Sequence, residues 1–192
     1  MNEELINADL DQSVDALRKG GVILYPTDTI WGLGCDATNS KAVEKIYTIK
    51  KRNEGKSLII LVDSEEMLTH YVQSVPAIVH DLIEQYERPL TIIYPDARNL
   101  PKNLIAPDGS IAIRIVRNVF CRGMIAQFGK PITSTSANVS GLPSPASFQA
   151  IPEEVILAVD YTVAHGRDDL KATFPSTIIR IDTNGEFEII RS

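Results

Sequence analysis

The chain is poor in the residues that carry several common chemistries. Only two of its 192 residues are cysteine, Cys35 and Cys121, far apart and outside any Cys-x-x-Cys pattern. That spacing argues against a disulfide framework or a cysteine-built zinc site and for buried free thiols in a reducing compartment. His70, His80 and His165 stand alone, with no HExxH zinc motif around them. There is no GxxxxGK[ST] phosphate loop, no GxGxxG dinucleotide fingerprint and no GxSxG nucleophile elbow. A serine triad or a metal hydrolase is therefore a poor reading, and a nucleotide would have to be held by other means. No stretch approaches the ~20 apolar residues that span a bilayer. The opening MNEELINADLDQ is acidic, without the apolar run of a signal peptide. The expectation is a cytoplasmic protein that no membrane engages. Aromatics make up 6% and the formal net charge is −6. A protein that coats nucleic acid would be basic and would offer stacking aromatics. Any anion site must therefore be local.

What is present reads as an ordinary globular chain, 44% hydrophobic and 23% charged. The length fits one domain over residues 1–192 with a sizeable core. Leu10, Val14 and Leu17 fall at helical spacing, and Gly20 and Gly21 stop that helix. VILYP then reads as a buried strand running into a loop, PTDTIWGLG. Ser40 is placed to cap a helix carrying Val43, Ile46 and Tyr47. SLIILV at 57–62, LTIIY at 90–94, IAIRI at 111–115 and PITSTS at 131–136 read as strands. Helical segments separate most of them, at 118–128 before Gly129 among others. DYTVAH, STIIRID and FEIIR follow as strands, the last two joined by Asn184-Gly185, a hairpin turn. The alternation predicts an α/β single domain with a twisted mixed β-sheet flanked by helices, because parallel neighbours need helical crossovers while the final hairpin is antiparallel.

The informative feature is where polar residues fall. PTDTIWGLG follows one strand, TSTSAN ends another, PST opens a third, and Arg114 sits near the end of IAIRI. In open α/β sheets ligands collect beyond strand ends, where loops and side chains converge. The stretch KPITSTSANVSGLPSP at 130–145 is rich in Ser and Thr and has no acidic residue. Thr133, Thr135 and Ser140 within it read as plain strand and turn residues. Thr27 and Thr29 also fit a turn, and Gly32 and Gly34 fit positions of positive φ. A local excess of cations, Lys41, Lys45, Lys50, Lys51, Arg52 and Lys56, lies within sixteen residues. It suits either a solvated helix face or an anion site. Hydroxyls, amides and cations with few candidate bases suit the binding and activation of a phosphate compound, where positioning and charge stabilisation do most of the catalysis.

Six ordered motifs resemble the YrdC-domain family of threonylcarbamoyl-AMP synthases. They are YPTDTIWGLGCDA, IKKRNEGKSLIILV, SIAIRIV, GKPITSTSANVSGLPSP, FPSTIIRI and the terminal IIR. The resemblance implies a deep, positively charged groove on a twisted mixed sheet. It implies a nucleotidyl transfer in which L-threonine, bicarbonate or CO2 and ATP give threonylcarbamoyl-AMP and pyrophosphate, with Mg2+ brought by the ATP. Separate transferase proteins then carry the group to tRNA, which the groove itself is expected to bind weakly, double-stranded segments included. By resemblance, Lys50, Arg52, Ser136 and Asn138 form a catalytic tetrad. Arg52, Lys56, Ser110, Ser136, Ser144 and Arg191 match ATP-contacting positions. Thr29, Arg114, Ser134 and Ser176 match threonine-contacting ones, with Arg114 the partner of the amino acid's carboxylate. The chain departs from the family pattern at Glu87-Arg88, at Leu61 where some members carry a His, and over 164–173. It resembles the short form, without the second domain of longer members. A non-catalytic sibling of the same fold is the competing reading; retention of Lys50/Arg52 and Ser136/Asn138 argues against it.

Overall fold

A computed structural model describes residues 3–52, 58–169 and 175–192. The order of elements is α1 (Glu3–Arg18), β1 (Ile23–Tyr25), β2 (Gly32–Gly34), α2 (Ser40–Ile49), β3 (Ile59–Val62), α3 (Glu65–Thr69), α4 (Ile78–Gln85), β4 (Leu90–Tyr94), β5 (Ile111–Ile115), α5 (Val119–Phe128), β6 (Ile132–Ser136), α6 (Glu153–Leu157), β7 (Tyr161–Thr162), β8 (Thr177–Ile181) and β9 (Phe187–Arg191). A short 3-10 turn, Phe148–Ala150, precedes α6. The strands form one sheet in the order β7-β1-β2-β6-β3-β5-β4-β8-β9. Parallel pairs (β1·β7, β3·β5, β4·β8) mix with antiparallel ones, as the sequence pattern predicts.

The core follows from the apolar periodicity. Val14 and Leu17 of α1, and Val43, Ile46 and Tyr47 of α2, are buried against strands whose Ile23, Leu24, Ile60 and Ile113 are almost inaccessible. Helix ends match local chemistry. Asn118 accepts the Cys121 amide at the start of α5, and Gly129 closes it at φ 77°, a left-handed conformation that glycine adopts without a Cβ penalty. The cap of α2 is Asn39, whose side chain accepts from the Lys41 and Ala42 amides, rather than Ser40, which is the first helical residue.

The GLG read as loop is strand β2, antiparallel to both β1 and β6. Neither Gly32 nor Gly34 has positive φ; close approach is their reason instead. A Cβ on Gly34 would lie 2.6 Å from the Thr133 carbonyl oxygen and 2.7 Å from the Tyr25 ring. Glycine therefore lets the Tyr25 ring lie against β2, with its hydroxyl donating to the Thr133 carbonyl at 3.1 Å.

Candidate active site

Strand alternation assembles the site. Side chains two apart on a strand share a face, and register carries that face from strand to strand. Gly32 stands opposite Ser136, Ile59 between Ser134 and Ala112, Ala112 beside Ile93, and Ile178 beside Arg191. These residues floor a cavity of about 370 Å3. The floor is apolar at its centre, and polar groups stand around it. Eight of the residues named by resemblance line the cavity: Thr29, Arg52, Arg114, Ser134, Ser136, Ser144, Ser176 and Arg191. They come from both halves of the chain, and no acidic side chain is among the described lining residues.

Arg114 is the buried centre of one side, only 3% exposed. Its Nη1 donates to Thr29 Oγ1 at 3.3 Å, and its Nη2 lies 3.2 Å from Asp28 Oδ1. Its Nε is buried and has no hydrogen-bond partner among the described residues. Loop 26–31 presents Thr29 through a hydroxyl relay. Thr27 Oγ1 donates to the Ile30 carbonyl at 2.8 Å and accepts the Thr29 amide at 3.0 Å. Its single proton being spent, the 2.9 Å contact with Thr29 is donated by Thr29, whose oxygen is left to accept from Arg114. Ser176 contacts the Thr91 hydroxyl at 2.8 Å, and its carbonyl accepts from Arg191 Nε and Nη2 at 3.2 and 2.8 Å. Burial pushes the Arg191 guanidinium below its ordinary value, and the neighbouring Arg114 charge adds to this. Burial does the same to Arg52. Three partly or wholly desolvated guanidiniums around one acid-free cavity favour an anionic occupant, since guanidinium forks match carboxylate and phosphate oxygens.

Lys50 is placed differently from the expectation. It follows the last turn of α2, is 2% exposed, and does not line the cavity. Its ammonium donates to the carbonyls of Ser136 and Asn138 at 2.5 and 2.7 Å, and approaches Asn138 Oδ1 at 3.5 Å. Its own carbonyl accepts from the Ser140 amide at 2.9 Å. Asn138 in turn donates to the carbonyls of Val139 and Leu142, at 3.1 and 2.6 Å. Both residues thus brace the turn that ends β6 from behind the lining. The Ser136 carbonyl at the end of β6 already accepts the Asn138 amide at 2.9 Å, and the ammonium adds a charged donor to it and to the Asn138 carbonyl just beyond the strand. Burial, with the Arg52 charge adding, brings the Lys50 ammonium down to about 8, so it remains largely protonated and donating at neutral pH.

Ser110 also stands outside the lining. It precedes β5, where its hydroxyl donates to Asp108 Oδ1 at 2.6 Å. That bond, the Ser110 amide and Arg180 together hold the Asp108 carboxyl down to about 2. Lys56 lies outside the described residues. Leu61, in register with Arg114, is buried and supplies no polar group. The motif reading passed over Asp28, the carboxylate that meets Arg114, although it lies between Thr27 and Thr29. It also gave Thr135 a plain strand role, whereas Thr135 lines the cavity along with Ile30 and Trp31. Cys35 and Cys121 are buried, and burial pushes both thiols up, away from nucleophile behaviour.

Residues 15–192 match the Sua5/YciO/YrdC family model, described as "Telomere recombination". A threonylcarbamoyl-AMP synthase of Photobacterium profundum is 33% identical over 183 residues, covering 90% of this chain and 98% of the relative. One of Pseudoalteromonas translucida is 37% identical over 132 residues, covering 67% and 71%. The crystal structure of Pyrococcus abyssi Sua5 complexed with L-threonine superposes with a TM-score of 0.83 at 25% identity, over 95% of this chain and 53% of that one. This chain thus spans about half the length of Sua5. Escherichia coli YciO shares the fold with a TM-score of 0.81 at 23% identity, over 95% of this chain and 88% of that one. By sequence and by fold, the chain belongs to the Sua5/YciO/YrdC family.

Proposed function

We propose that the chain is a threonylcarbamoyl-AMP synthase, making threonylcarbamoyl-AMP and pyrophosphate from L-threonine, bicarbonate or CO2, and ATP. The observation that carries this is the convergence of three guanidiniums and six hydroxyls on one cavity with no acidic residue among its described lining. By resemblance Arg114, Thr29, Ser134 and Ser176 serve the amino acid and Arg52, Ser136, Ser144 and Arg191 the nucleotide, and Arg191 meets the first set where it donates to the Ser176 carbonyl. The first suits a small amino acid, with the Nη protons of Arg114 not used by Thr29 and Asp28 available to the carboxylate and the hydroxyls to the remaining polar atoms. The second suits a nucleotide's phosphates. The named relatives act in the same chemistry, and Sua5 carries L-threonine on the same fold.

In this reading the threonine amine adds to CO2 with loss of a proton to solvent, or to bicarbonate with loss of water, to give a carbamate. A carbamate oxygen attacks the α-phosphorus of ATP; the new P–O bond forms as the bond to the bridging oxygen breaks and pyrophosphate leaves. Arg52 and Arg191 stabilise charge spread over the α-phosphoryl and the leaving group. Ser136 and Ser144 donate to phosphate oxygens. Lys50 and Asn138 act through the turn they brace, and Lys56 and Ser110 belong to the nucleotide side by resemblance. With no carboxylate among the described lining residues, Mg2+ would be held by the phosphates, where it supplies charge neutralisation. The product serves tRNA threonylcarbamoyl transferase proteins in the cytoplasm, and the guanidinium-lined cavity mouth makes weak contact with tRNA. Among the described residues no helix is long and apolar enough to cross a membrane.

The test is incorporation of labelled bicarbonate. The purified chain should form a labelled acyl-adenylate and release pyrophosphate only when threonine, ATP, bicarbonate and Mg2+ are all present. Pyrophosphate release independent of threonine, or no label in an adenylate, would defeat the proposal.

A further inference from the structure

Asp28 is the one charged residue of loop 26–31, and the proposed reaction gives it no part. Its side chain is 11% exposed, and its Oδ1 lies 3.2 Å from Nη2 of the almost inaccessible Arg114. Arg114 lines the cavity and Asp28 does not. The other oxygen of Asp28, Oδ2, accepts the Arg117 amide at 3.4 Å, just past the end of β5. Arg117 is itself tied down. Its Nη1 donates to the Glu87 carbonyl at 3.2 Å and its Nη2 to that of Ile83.

Arg114 meets two consecutive residues of this loop in different ways. Nη1 donates a hydrogen bond to Thr29 Oγ1 at 3.3 Å, and a hydrogen bond has a direction. Asp28 Oδ1 is near enough to Nη2 for an ion pair but is not aligned for a hydrogen bond. The attraction there is between charges, which needs no alignment. Thr29 thus helps to aim the guanidinium, while Asp28 offsets its charge. Among the described residues Asp28 is the carboxylate paired with Arg114. A ligand carboxylate on Arg114 would be the second on a guanidinium already offset, and salt screens like charges little where both are buried. The carboxylate of threonine also takes no part in the bond changes proposed above and is the same in substrate and product. Whatever acts on it alters binding throughout the reaction rather than the chemical barrier.

We infer that Asp28 sets the affinity of the amino-acid end of the site. Acting through Arg114, it weakens the hold on the substrate's carboxylate and so lets the product leave. The inference rests on the proposed synthase reading, in which Arg114 takes that carboxylate. Asp28 touches no reacting atom and is not a catalytic residue. The sign of its effect separates this role from a structural one. A residue that only supports the loop or aims Arg114 would weaken threonine binding when its charge is removed, whereas removing the charge of Asp28 tightens it.

Asp28→Asn tests it, because the amide keeps the shape and an oxygen for the Arg117 amide while the charge is lost. Calorimetry on the purified chain should show the Kd of L-threonine lowered at least about fivefold. L-threoninol, with an alcohol in place of the carboxylate, should change less than about twofold. In steady state the threonine KM should fall, the ATP KM should stay within about twofold, and kcat should not rise. Without ligand the variant should be less stable, since its buried guanidinium lacks a counter-charge, and threonine should raise its Tm by more than it raises that of the wild type. If circular dichroism shows that the Asn variant does not fold, Asp28→Ser takes its place with the same expected sign. Absence of threonine binding by the wild type would overturn the synthase reading and this inference together. With wild-type binding established, the inference alone is overturned if the variant's threonine Kd rises or stays within about twofold, or if threoninol tightens as much as threonine.

Discussion

Arg114 and Lys50 are both buried cations at the candidate active site, and they spend their charge in opposite ways. Arg114 lines the cavity beside Asp28 and Thr29, and its buried Nε has no hydrogen-bond partner among the described residues. Lys50 gives its ammonium to two backbone carbonyls and an amide oxygen behind the lining. One side of the site is thus built around a cation that lines the cavity, the other around a cation that holds the chain. The contrast teaches that a basic residue in a site motif is not by itself a ligand contact; the carbonyls that need donors decide. A guanidinium with five donors can serve a neighbour and a ligand together, whereas an ammonium with three is saturated by the end of one strand.

The largest expected effect breaks the Arg114 side. Arg114→Ala should lower kcat/KM for threonine about 100-fold, roughly 2.7 kcal/mol, through loss of a charge-assisted fork. Arg114→Lys should recover little of it, because a point charge does not reproduce the fork. Steady-state kinetics with threonine varied measures both.

Lys50→Met tests the brace. Taking the ammonium from the Asn138 carbonyl, and from the Ser136 carbonyl that keeps the Asn138 amide, should cost about 1–3 kcal/mol in urea unfolding, and turnover should fall at least about tenfold as the turn loosens. A variant that lost turnover at full stability would return the ammonium to the ligand. Arg52→Ala sharpens the same contrast from the cavity side: turnover at least about tenfold lower, seen in pyrophosphate release.

A pH experiment separates the two cations further. The folded-state value of Lys50, about 8, lies below the ordinary 10.5. Between those values the unfolded chain binds more protons than the folded one, so this group makes stability rise with pH across that window. Below pH 8 its penalty is fully present; above about 10.5 it is gone. The difference between wild type and Lys50→Met in unfolding free energy should therefore slope across pH 8–10.5 and be flat below it. The smallest effect belongs to Ser110→Ala, whose hydroxyl is committed to Asp108. The ATP KM should change less than about twofold, and a larger change would bring Ser110 into the lining.

Much of the fold was legible because strands such as LTIIY and IAIRI announce themselves by composition and by the Pro and Gly that bound them. The GLG strand was not. Strand propensity counts glycine against a strand, and the packing of the Tyr25 ring that requires glycine there is visible only in three dimensions. At the site, Arg114 and the TSTSAN cluster were readable from their place near strand ends, while Ser134 and Ser136 were picked out within the cluster by resemblance. Asp28 was not, since nothing local tells a turn aspartate from one that meets a guanidinium 86 residues away. The direction of Lys50 was hidden for a related reason: residue type gives the charge, while the end of β6, far along the chain, gives its partner.

The cavity floor draws on β2, β6, β3, β5, β4, β8 and β9, and its polar groups run from Thr29 to Arg191. No contiguous fragment of the chain carries a usable half of it. Each ligand contact becomes available only after loops spanning much of the sequence have closed, which places the site among the late events of folding and the chain among slower-folding topologies. Ligand binding is thus a readout of the complete fold: a folding intermediate lacking the β8·β9 hairpin would lack Arg191, Ile178 and the Ser176 carbonyl together, and would stand empty in a solution of substrates.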